Sequence, residues 1–153
     1  MDKGSVSSII DTRRIRTTIR MLFSYKGEKI ELISEEPVAK IAPGPTLPLP
    51  ERGQSGFWFE VIDREGRRLY VKGIFNPVRF EVEVFPEDPK DVPYWRRIAH
   101  PSGFFELLVP DIPQAEEVVL FSSPFDPEKS GEPAKEIARY SLKKKPREKR
   151  GKD

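Results

Sequence analysis

The sequence predicts an all-β protein, an immunoglobulin-like β-sandwich of seven to eight short strands, with a small β-barrel as the alternative. Three observations carry that expectation. Aromatic and β-branched residues fall in short runs that alternate with a period of two. Gly, Pro, Asn and Asp punctuate those runs at short intervals. No stretch keeps a helical period or an internal repeat of about 20–50 residues. At 153 residues the chain suits one domain. We expect a flexible N-terminal arm over 1–16, a sandwich domain over 17–142 and a disordered basic tail over 143–153.

Taken in order, residues 1–10 are small and polar with little periodicity. Ile19, Met21, Phe23 and Tyr25 then alternate with Thr18, Arg20, Leu22 and Ser24, and Lys26-Gly27 predicts a hairpin turn into a second strand that ends near Glu35. Residues 37–50, PVAKIAPGPTLPLP, hold five prolines, which fix φ and remove amide donors. The expectation is a stiff surface crossover between the two layers. Pro45 and Pro48 also match P-x-x-P, the pattern of a ligand for an aromatic groove.

Residues 56–85 are the densest run and read as three consecutive strands, a meander with one wet and one dry face. Phe57, Phe59 and Val61 oppose Trp58, Glu60 and Ile62, and Asp63-Arg64-Glu65-Gly66 supplies a turn. A second run covers 68–75 and breaks at Asn76-Pro77. In the third, Phe80, Val82 and Val84 oppose Arg79, Glu81 and Glu83. The proline segments 43–50 and 86–93 flank this meander and are expected to cover its edges. Beyond it, strands are expected over 94–99 and 104–109, joined by His100-Pro101-Ser102-Gly103. One helical turn is expected over 114–117, then strands over 118–121 and 137–142, with a loop over 125–133.

Charge is unevenly placed. The formal net charge is +2, with +3 in residues 1–20 and +5 in 143–153, so residues 21–142 carry −6. An acidic body has basic ends. The chain has no cysteine, which excludes disulfides, thiolate nucleophiles and Cys-ligated zinc and fits a cytoplasmic protein. No apolar run approaches the roughly 20 residues of a membrane span, and the first 16 residues lack the apolar stretch of a signal peptide. With His100 as the lone histidine, a two-histidine metal site is impossible, and no phosphate-cradling glycine motif follows a strand. Glu87, Asp88 and Asp91 lack the spacing of a calcium loop. The sequence therefore points to no catalytic residue, metal or cofactor, and a hydrolase built on a carboxylate or on His100 is the remote alternative.

The segments IRMLFSYKGEKIELIS, GQSGFWFEVIDREGRRLY, PVRFEVEVF and FFELLVPDIPQAEEVVLFSS together resemble short bacterial β-sandwich accessory proteins of unassigned function, across about two thirds of the chain. That resemblance implies no activity. The functional expectation is a non-enzymatic protein–protein interaction or structural accessory module. Trp58, Trp95, Arg96 and Arg97 are the candidate partner-binding residues, because aromatics and Arg dominate interface hot spots. Polyanion or nucleic-acid binding through Lys143, Lys144, Lys145, Arg147, Lys149 and Arg150 is the alternative, since such a run neutralises phosphates without reading sequence.

Overall fold

The computed structural model describes residues 8–78 and 81–142. Among these residues nine strands form: β1 (Thr18–Lys26), β2 (Lys29–Val38), β3 (Phe57–Ile62), β4 (Arg68–Ile74), β5 (Glu81–Val84), β6 (Tyr94–Arg97), β7 (Ser102–Pro110), β8 (Glu117–Ser122) and β9 (Lys135–Ser141). Seven of them make the two sheets of a sandwich, β2-β1-β7 and β4-β3-β8-β9, and every pairing is antiparallel. Both sheets keep open ends, so no barrel closes. The first strand sits at the centre of its sheet, whereas a constant-type immunoglobulin domain places it at an edge.

The expected first hairpin forms around a two-residue loop in which Gly27 has φ of 58°, a conformation that glycine reaches without steric cost. Its alternation sends Met21, Phe23 and Tyr25 inward to meet Leu107 and Val109 of β7 and Phe59, Val61, Val118 and Leu120 of the facing sheet. Aromatic contacts bind the layers. Phe23 stacks on Phe105 of the same sheet at 5.1 Å, and Phe57 of the facing sheet meets that ring edge-on at 6.2 Å and 90°. Each such pair contributes about 0.5–1.5 kcal/mol beyond its area.

The proline segment covers an edge as expected. Thr46 N–H donates to the Val71 carbonyl and Thr46 Oγ1 accepts from Gly73 N–H, each at 2.9 Å. Tyr70 donates its hydroxyl to Pro43 O at 2.6 Å, and burial pushes this phenol's pKa up. Pro37 is accommodated in β2 because that strand is an edge.

Three expectations change. The run 56–85 is not one meander: β3 and β4 form a hairpin, but β5 leaves the sheet and pairs with β6 in a separate two-stranded ribbon. Pro77 cannot donate to a ladder, and Asn76 Oδ1 accepts from Val78 N–H at 2.9 Å, which turns the chain away from β4. Loop 86–93 thus joins β5 to β6 instead of covering the larger sheet, and Arg79 and Phe80 lie outside the described residues. No helical turn forms over 114–117, where a turn at Pro113 and Gln114 leads into β8, while a 3-10 helix forms at Pro127–Lys129. Asp126 caps that helix by accepting from Glu128 N–H at 3.0 Å. Finally, part of the expected free arm is packed. Ile10 N–H donates to Leu69 O at 2.8 Å, Ser8 Oγ donates to Arg68 O at 2.7 Å, and Thr12 is buried.

Native-state hydrogen exchange reads out this division. The amides of Phe59, Val61, Val118 and Leu120 are expected to be the slowest, and those of β5 and β6 about a hundredfold faster or more.

Candidate interaction surface

The β5–β6 ribbon is short, with Glu81 opposite Arg97, Val82 opposite Arg96, Glu83 opposite Trp95 and Val84 opposite Tyr94. Directly opposed residues share a face, so one face carries Val82, Val84, Tyr94 and Arg96 and the other carries Glu81, Glu83, Trp95 and Arg97. No side chain of the described ribbon is buried. Trp95 is 65% exposed, Tyr94 53% and Phe85 70%. The connecting loop is ordered locally by Asp88, whose carboxylate accepts from Lys90 N–H at 3.0 Å and whose carbonyl accepts from Asp91 N–H at 2.9 Å.

The root of the ribbon is pinned to the sandwich. Val78 is buried in the main core, Asn76 Nδ2 donates to Phe125 O at 3.3 Å, and Arg97 pairs with Asp126 at 3.1 Å. The bond from Glu128 N–H holds the Asp126 carboxyl below the usual carboxylate range; partial desolvation opposes this and the bond from Arg97 adds to it.

Beside this root lies a groove of about 820 Å³. Its walls come from Thr46, Pro48 and Pro50, from Gly56, Phe57 and Trp58, and from Ile74 and Phe75 at the end of β4. Phe57 pairs with Ile74 and with Ser122, which places the groove and the ribbon root at the same end of the sandwich. Phe75 and Leu47 are exposed there at 95% and 73%.

Trp95, Arg96 and Arg97 are thus brought together on one exposed element, but Trp58 leaves the set. It is 2% exposed, stacks on Phe121 at 5.5 Å and donates from Nε1 to Glu60 Oε2 at 3.4 Å. The face expected to be wet is covered by Leu49, Ile9 and Ala134, which form a second cluster with Trp58, Ile62, Val71, Val119 and Phe121. The sequence signal was present in the run FWFEVI, which is apolar on both faces except for Glu60 and so fits a strand buried on both sides.

Glu60 is the charge that sequence reasoning missed. Its carboxylate is fully buried and meets two guanidinium groups, Arg52 at 3.2 Å and Arg68 at 3.1 Å. The Arg68 contact is an ion pair without hydrogen-bond alignment. Arg68 also donates to Pro50 O, and Arg52 lies 4.9 Å above the Phe121 ring. This network fastens the end of the proline segment over β3 and β4.

The remaining chemistry is sparse. His100 is exposed in a bend, and no cluster of three or more potential metal ligands occurs among the described residues. Ser122 and Ser123 line a smaller pocket of about 210 Å³, where Ser123 accepts from Gly56 N–H at 2.9 Å and donates to Glu132 O. No described helix is long and apolar enough to cross a membrane. Lys143, Lys144, Lys145, Arg147, Lys149 and Arg150 lie outside the described residues. No protein-family model, curated protein or solved structure matches this chain.

Two substitutions separate the tryptophans. Trp58→Ala is expected to cost about 3–5 kcal/mol in urea denaturation, while Trp95→Ala stays within about 0.5 kcal/mol of the parent. In the same assay Glu60→Gln is expected to cost about 2–3 kcal/mol, because it leaves the largely buried Arg68 with only the exposed Glu51 as a counter-charge.

Proposed function

We propose that the protein is a non-enzymatic interaction or structural accessory module that holds a protein partner with the β5–β6 ribbon. Trp95 is the anchor, and Arg96 and Arg97 are the polar contacts. The observation that carries this reading is a ribbon whose aromatic residues are exposed while its root is fastened to a rigid sandwich. An isolated two-stranded ribbon is marginal in water, so a surface that packs against it gives both stability and recognition. A cytoplasmic setting accords with the lack of cysteine.

A protein partner fits the charges of this element better than a polyanion does. Arg97 faces Glu81 across the strands, and the connecting loop adds Glu87, Asp88 and Asp91, so the cationic side chains form no continuous stripe. Trp95 and Arg are also the residue types that concentrate binding energy at protein interfaces.

Affinity capture from the native cell with full-length bait, compared with a Trp95→Ala/Arg96→Ala bait, tests the reading. The parent is expected to retain a nuclease-resistant protein that the variant loses, with equal melting temperatures for both baits. Equal retention by both removes the ribbon from the interface, and retention abolished by nuclease replaces this reading with polyanion binding.

A further inference from the structure

We infer that the partner the ribbon fits is a second copy of this chain, each copy laying its β5–β6 ribbon into the groove of the other across a two-fold axis. The inference rests on the ribbon being a contact surface and goes further by naming the occupant.

Both halves of such a contact are present on one molecule and at the same end of the sandwich. The ribbon offers Phe85, Tyr94 and Trp95 without an apolar surface of its own to cover them, and none of the three lines the groove of its own chain. The groove offers Pro48, Pro50, Phe57, Ile74 and an almost fully exposed Phe75. A two-fold operation pairs arm with groove twice, which is the self-complementarity that closed dimers use.

Size and charge agree with this occupant. Trp95 and Phe85, which strand alternation places on the same face, present roughly 400–700 Å² from two copies at their exposures of 65% and 70%. With an equal area on the grooves, the contact totals roughly 800–1,400 Å², which reaches from a weak, concentration-dependent association to the lower end of a standard interface. The ribbon's loop carries Glu87, Asp88 and Asp91 against a single Lys90. Beside the groove, Arg52 is two-thirds exposed above Phe121, the ring stacked on Trp58. An incoming acidic loop therefore meets a guanidinium at the rim.

Sedimentation velocity of the full chain from micromolar to submillimolar concentration provides the test. The parent is expected to show a concentration-dependent dimer. Trp95→Ala on the arm and Phe75→Asp on the groove are each expected to raise its dissociation constant tenfold or more. Mixing these two variants restores one intact arm–groove contact, so the mixture associates more tightly than either variant alone. Both residues are exposed, and unchanged thermal melts confirm that folding is intact; Val92→Asp on the ribbon loop gives an independent arm variant. A parent that stays monomeric throughout, or a dimer indifferent to all three substitutions, overturns the proposal. If the chain is monomeric but still captures a cellular protein through Trp95, the dimer is wrong and the ribbon remains the contact surface.

Discussion

Burial of β3 on both faces is the constraint on which the rest of the structure depends. Phe57, Phe59 and Val61 fill the space between the sheets, and Trp58 and Ile62 on the opposite face would be left in water if the sandwich were all there was. Burying a side chain of this size contributes about 1.5–3 kcal/mol, so the chain outside the strands is recruited to cover that face. Ile9 from the N-terminal side, Leu49 from the proline segment and Ala134 from the loop before β9 close over it. The crossover is therefore a third partial layer.

That covering layer brings a buried charge with it. Glu60 lies on the covered face beside Trp58, where an unpaired carboxylate would be prohibitive. Arg68 reaches it from the neighbouring strand and Arg52 from the covering segment, so the ion pairs connect β3, β4 and the proline crossover. Such a network adds little net stability over an apolar substitute, but it makes the position of the crossover specific. The wall of the groove formed by Thr46, Pro48 and Pro50 is held in place by this arrangement together with the bonds from Thr46 to β4.

The ribbon follows the opposite logic. Its two strands bury nothing, and what fixes it is confined to the root, where Asn76, Val78 and the Arg97–Asp126 pair meet the loop that carries Phe125. An exposed ion pair of this kind contributes at most about 1 kcal/mol. Orientation is therefore supplied by the buried valine and the turn at Asn76, and the aromatic surface beyond them stays available for contact.

The sequence by itself determined the class of fold and most of the strands, because period-two alternation and turn residues are local signals. The hairpin around Gly27, the turn ending at Gly66 and the edge role of the proline segment were all legible in this way. Trp95, Arg96 and Arg97 were legible as candidate contact residues beside an acidic, proline-marked loop, but the exposure of the tryptophan was not. Only the tertiary structure decided which alternating face meets water. Trp58 and Trp95 look alike in their local patterns, yet one lies under a covering segment brought from elsewhere in the chain and the other stands on a ribbon that has left the sheet. Burial is set by contacts between residues far apart in sequence, and strand periodicity is indifferent to whether a face has such a partner.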